Sequence, residues 1–283
     1  MPPRIGVVVD STTDFPDDWP YRDRIHIIPE HIRFGDEDYR EGVDITPEAF
    51  FKRVLETGVI PKTSQPSPGE FAELYRQLAD RYDIILSLHL GAKLSGTYQS
   101  AVLGADLVAD KVTVLPFDSN NGSAGVGFMV DEAMTMIDAG ATPEAILQRM
   151  TVLRERIQIF LTPEDLTFAR LSGRINALSA FIASVLHIVP IITLTDGELV
   201  ATERARSRKK ALARMTRMMQ DRLGEGPINL AIIHALAPQD AETFKTLLQA
   251  TFQPQKLWIA ALSSSVSAHL GPGTIGIVGY RTD

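Results

Sequence analysis

Cysteine is absent from the 283 residues, which removes disulfides, thiolate nucleophiles and thiolate metal sites together. That composition suits a reducing compartment, and a cytoplasmic location is expected. Positive charge is also short: 28 Lys and Arg stand against 35 Asp and Glu, a net charge of −7. Nucleic acid and anionic membrane both need an excess of basic surface, so neither is expected as the main partner. Histidine is sparse, and His26, His31, His89, His187, His234 and His269 show no metal-ligand spacing and no paired acid nearby in the sequence. No metal site and no cofactor are expected. A Walker loop is lacking, and Gly122-Ser123-Ala124-Gly125-Val126-Gly127 does not have the order of a dinucleotide fingerprint. One stretch imitates a membrane span, residues 177–194, but it carries Ser179, Ser184, His187 and Pro190 and runs into a hairpin signal. It reads as a buried helix leading into a buried strand, without stable membrane insertion. The apolar run Ile5 to Val9 is too short for a secretory core and reads as a first strand.

What is present is a hydrophobic fraction of 45% with 22% charged residues, enough for a large core divided between two domains. The first half alternates apolar, β-rich runs (4–9, 25–34, 83–90 and 111–117) with amphipathic stretches. Thr46-Pro47-Glu48 and Thr142-Pro143-Glu144 place an N-cap, a first-turn proline and an acid in order, and Ser67 with Glu70 forms a capping box. This alternation predicts an α/β domain over 1–157 with a mostly parallel sheet. In the second half, Asp196-Gly197 between alternating runs signals a type I′ hairpin. With strands expected at 158–161, 228–234, 256–262 and 274–280 and helices at 207–223 and 238–252, residues 158–283 read as a mixed-sheet α+β domain.

Three segments hold more small polar residues than a connection needs. Asp10-Ser11-Thr12-Thr13-Asp14 follows the first strand, at the edge where open α/β sheets place ligands. A plain Asx or Ser/Thr turn explains it equally. Lys62-Thr63-Ser64-Gln65-Pro66-Ser67-Pro68 is a hydroxyl-rich loop stiffened by prolines, and Thr63 and Ser64 have no capping duty there. Leu94-Ser95-Gly96-Thr97 opens a helix, where Ser95 is either its cap or part of an anion receptor built on free N–H groups.

KTSQPSP at 62–68, LSGTYQSA at 94–101, DSTTDFP at 10–16, GRI at 173–175 and HLGPGTIGI at 269–277 together resemble the DegV family, in that family's order and over nearly the whole chain. The resemblance implies a two-domain α/β protein with a long-chain fatty acid, palmitate in size, between the domains. It puts the family's carboxylate-binding hydroxyls on Thr63 and Ser95 and a third contact on His269, with Ser64, Gly96, Thr97 and Gly271 beside them. Arg170 and Arg174 fall on the family's basic stretch, and Ser172 stands where the family usually has a glycine. The resemblance further implies a non-catalytic acyl carrier in lipid transport, or the substrate subunit of a fatty acid kinase working with a dihydroxyacetone-kinase-like ATP-binding subunit. Phe181, Ile182, Val185 and Leu186 are the slot-lining candidates, with ordinary core as the other reading of each. Burying about fifteen methylenes at roughly 0.8 kcal/mol each gives about 12 kcal/mol gross, against about 1 kcal/mol for each neutral hydrogen bond. The slot is therefore expected to supply affinity and the hydroxyls orientation. Arg204, Arg206, Arg208, Lys209 and Lys210 crowd a predicted helix start against its dipole, which reads either as solvated surface or as a face for an acidic or phosphate-bearing partner. The alternative from another class is a stand-alone phosphotransferase or hydrolase using Asp10 or Ser95.

Overall fold

The computed structural model describes residues 3–176 and 188–283. The first apolar run forms β1 (Ile5–Asp10). The run expected as one strand over 25–34 divides in two: β2 (His26–Ile28) pairs with β1, whereas β3 (His31–Phe34) joins a different sheet. Pro29, with no N–H to give a ladder, stands at the break. Then follow β4 (Glu37–Arg40), α1 (Pro47–Thr57), β5 (Lys62–Ser64), α2 (Pro68–Leu78), β6 (Ile84–His89), α3 (Thr97–Asp106), β7 (Thr113–Asp118), α4 (Ala124–Asp138) and α5 (Pro143–Arg156). The capping residues act as their types predict. Thr46 accepts from the N–H of Ala49 at 3.2 Å and Thr142 from that of Ala145 at 3.3 Å, while Ser67 and Glu70 complete a reciprocal box.

Strands β2, β1, β6 and β7 form a four-stranded, wholly parallel sheet in that order. Alternation along the strands assigns its two faces. Val8 and Ile85 pack with Phe71, Tyr75 and Leu78 of α2 and Ala101 of α3, whereas Val7, Val9, Leu86 and Leu88 point the other way and are buried too. A sheet covered on both faces needs such continuous apolar runs. A small antiparallel sheet, β4-β3-β5, stands beside it.

The later elements are β8 (Gln158–Thr162), α6 (Leu166–Ser172), β9 (Ile175–Asn176), β10 (Val189–Thr195), β11 (Glu198–Ala205), α7 (Arg208–Leu223), β12 (Ile228–His234), α8 (Pro238–Thr251), β13 (Lys256–Ala261), α9 (Ser264–Leu270) and β14 (Ile275–Arg281). Their seven strands run β13-β12-β14-β8-β10-β11-β9, a mixed sheet in which β12–β13 and β11–β9 are parallel and the remaining pairs antiparallel. Both Asp196 (φ 50°) and Gly197 (φ 76°) take positive φ at the β10–β11 turn, as a type I′ hairpin requires. Met215, Met219 and Phe244 from α7 and α8 pack on Phe160, Leu230 and Ile277 of this sheet. The chain resolves into two compact units: one runs to Thr13 and from Asp18 to Glu155, the other takes Asp14–Asp17 and Arg156 onward. Among the described residues, no helix is long and apolar enough to cross a membrane.

Candidate functional site

The carboxyl edge of the parallel sheet collects the first unit's polar side chains. Because Val9 pairs with Leu88, the next residues on each strand, Asp10 and His89, emerge side by side. Asp10 Oδ2 lies 3.0 Å from His89 Nδ1 and accepts from the N–H of Leu90 at 3.0 Å. Its other oxygen accepts from the N–H of Thr12 at 3.1 Å and from the Thr12 hydroxyl. Beyond the imidazole, Nε2 lies 2.6 Å from the Ser87 hydroxyl, which is 2.7 Å from that of Tyr75. Burial opposes ionisation of Asp10, but the bonds from His89, Thr12 and Leu90 override it and hold the carboxyl below its usual range. Burial pushes the Tyr75 phenol above its ordinary value.

A second chain of contacts reaches outward from the same edge. Glu30, between β2 and β3, is 3% exposed, and its Oε1 lies 2.6 Å from Thr97 Oγ1. Thr97 Oγ1 is in turn 2.8 Å from Ser95 Oγ, and Ser95 is half-buried. Burial first, then the charges of Asp10 and Glu41, push the Glu30 carboxyl well above the ordinary range, although Thr97 works in the other direction. The N–H of Glu30 donates to Ser11 Oγ at 2.9 Å, and Ser11 donates to Glu41 at 2.6 Å. Residue 96 is the N-cap of α3 and, being glycine, offers no side-chain cap. Ser95 therefore bonds Thr97 rather than capping the helix, which settles one of its two sequence readings. The Gln65 amide lies over Gly96, where a Cβ would meet Nε2 at 2.9 Å, so the 62–68 and 94–101 segments are brought together.

Thr63 and Ser64 lie on β5, not in the loop expected, with Thr63 paired to Ile32 and half-buried and Ser64 exposed. In the second unit, α6 and α9 pack together through the glycine turn after α9. Gly271 (φ 83°) lies against Phe168, where a Cβ would come within 2.9 Å of the ring. Burial, and then the positive charge of Arg174, lower the pKa of His269 to about 4. Arg174 folds back to donate to the Ser172 carbonyl at 2.7 Å; Arg170 is exposed in the last turn of α6. Phe181, Ile182, Val185 and Leu186 lie outside the described residues.

Two expectations change. Two histidines do have acidic partners in space: His89 faces Asp10, and His31 lies 3.1 Å from Asp38 and 2.9 Å from Glu70. Asp10 is fully buried with both oxygens engaged, which leaves it no lone pair aimed at a substrate and withdraws it as a nucleophile. Glu30 was not singled out by sequence; its one signal is an acid directly after the proline that splits β2 from β3. At the basic helix start, Arg208 is committed internally, to Asp240 at 2.5 Å and to the Gly273 carbonyl at 2.6 Å.

Three comparisons bear on this arrangement. The family model described as an uncharacterised protein of the DegV family matches residues 4–282. Protein DegV of Bacillus subtilis is 32% identical over 275 residues, covering 96% of this chain and 98% of that protein. Among solved structures, a DegV family protein of Thermus thermophilus described by its fatty acid binding superposes with a TM-score of 0.90 at 33% identity, over 98% of this chain and 99% of its own. The crystal structure of the Bacillus subtilis DegV, described as a fatty acid binding protein, gives 0.88 at 30% identity, over 99% of this chain and 100% of its own. A family model that matches residues 4–282, together with a relative 32% identical over 96% of the chain, means that the chain belongs to the DegV family.

Proposed function

We propose that this protein binds one long-chain fatty acid in an apolar slot, aims its carboxylate with Thr63 and Ser95, and performs no chemistry on it alone. The observation that carries the reading is the whole-length likeness to relatives described as fatty acid binding. The site supports it: α3 has no side-chain cap, and its first turn, with the Ser95 and Thr97 hydroxyls, suits an anionic head group. Ser64, Gly96, Thr97, His269, Gly271, Arg170 and Arg174 belong to the same proposal as further contacts. In this reading the protein stays in the cytoplasm without membrane insertion and carries the acyl chain, or offers its carboxylate to a separate ATP-binding, dihydroxyacetone-kinase-like subunit. The exposed Arg206, Lys209 and Lys210 are the face proposed for such a phosphate-handling partner.

The test is extraction. Natively purified protein is denatured, and its organic phase is analysed by mass spectrometry. Near-stoichiometric long-chain fatty acid is expected; an empty or nucleotide-loaded protein would overturn the reading.

A further inference from the structure

Resting on the fatty-acid reading, we infer that Glu30 is a positioning residue whose protonation sets the direction of the hydrogen-bond chain Glu30–Thr97–Ser95, and so decides whether Ser95 donates to a head group or accepts from it.

Three oxygens are linked by two contacts, 2.6 Å from Glu30 Oε1 to Thr97 Oγ1 and 2.8 Å from Thr97 Oγ1 to Ser95 Oγ. Each hydroxyl has one proton to give. If Glu30 is ionised it only accepts, so Thr97 donates to Glu30 and Ser95 must donate to Thr97. The Ser95 proton is then spent inward, and lone pairs face the ligand. Only if Glu30 is neutral, with its proton on Oε1, can its O–H donate to Thr97, Thr97 to Ser95, and the Ser95 proton point outward. A carboxylate accepts only, so it is bound well by the second arrangement and repelled by the first.

The surroundings favour the neutral acid. The titratable groups facing Glu30 are Asp10 at the end of β1 and Glu41 after β4, both acids, with His89 at the end of β6 engaged by Asp10; α3 presents the neutral Thr97. Glu30 is buried among them at 3% exposure, and burial pushes its carboxyl well above the ordinary range. The consequence is selectivity for an ionised head group at neutral pH that fades under alkaline conditions.

The test uses full-length protein and a fluorescent long-chain fatty acid, titrated from acid to alkaline pH against wild type, Glu30→Gln and Glu30→Ala. The glutamine amide can donate to Thr97 and cannot ionise, so it keeps the outward order open at every pH, as the neutral acid does. Wild-type affinity is expected to fall at least about tenfold as Glu30 ionises, the worth of one hydrogen bond to a charged group, while Glu30→Gln stays flat. Glu30→Ala should already bind weakly in acid. A fatty alcohol, which both donates and accepts, should show no pH-dependent fall in wild type. The idea is overturned if Glu30→Gln declines with pH as wild type does, or if it loses binding that Glu30→Ala keeps. Should wild type bind no fatty acid at any pH, the proposed function fails, and infrared spectra then judge Glu30 separately. A protonated-carboxyl band near neutrality that is missing in Glu30→Gln supports the neutral acid on which the outward order depends; its absence in wild type overturns the proposal.

Discussion

Asp10 and His89 face each other at 3.0 Å with neither side chain exposing any surface, although 79 residues separate them in the chain. Removing one member of such a pair strands the other in the interior. Asp10→Ala is expected to cost about 3–5 kcal/mol in guanidinium unfolding, with Asp10→Asn milder because the amide preserves the shape. A loss under about 1 kcal/mol would show that the network contributes little.

Glu30 makes stability fall as pH rises. Its folded pKa is raised, so the folded state holds its proton more tightly than the unfolded chain does. The stability this brings is fully present below the ordinary carboxyl value and is lost as pH rises through the folded value. Glu30→Gln should therefore flatten the decline of Tm on the alkaline side relative to wild type. Parallel profiles for the two proteins would contradict the burial of an acid at this position.

His269 has its pKa lowered to about 4 by burial and by Arg174. The unfolded chain takes up a proton near pH 6.5 and the folded one does not, so this contribution to stability is lost as pH falls from about 6.5 towards 4. Imidazole NMR signals assigned through His269→Gln should show a neutral ring at pH 6 in the ligand-free protein. A titration midpoint at the ordinary histidine value would refute the burial.

Two glycines separate packing from binding. A Cβ at Gly104 would lie 2.5 Å from Phe71 Cβ and 3.0 Å from the Pro68 carbonyl, where α3 packs on α2. Gly104→Ala should cost about 1–3 kcal/mol of stability through overpacking. At Gly96 the neighbour is the movable end of Gln65. Gly96→Ala should leave stability within about 0.5 kcal/mol and shift ligand affinity instead, as fatty acid titration would reveal.

For the hydroxyls, the double change Ser95→Ala with Thr63→Val should weaken fatty acid retention at least about a hundredfold, as two hydrogen bonds to a carboxylate would. Most of the methylene burial remains, so binding should weaken and not vanish. Retention unchanged after extraction and quantitation would remove both residues from the head-group site.

The amino-acid sequence by itself determined what acts over a few residues. Thr46, Ser67 and Thr142 open helices because their side-chain oxygens reach N–H groups three residues on. Asp196-Gly197 turns the β10–β11 hairpin because both residues tolerate positive φ. The two-domain α/β architecture and the family were legible for the same reason, since hydrophobic period and short motifs are local patterns. Only the tertiary structure decided what depends on register across the sheet. The pairing of Val9 with Leu88 sets Asp10 against His89, turning two scattered polar residues into a buried pair. The break at Pro29 moves Thr63 onto a strand beside Ile32 and leaves Glu30 under the hydroxyls of α3. No periodicity announces such contacts, because loop closure over tens of residues costs little more for one partner than for the next. Packing selects the partner, and that selection is what makes Glu30 the neighbour of Thr97 and Ser95.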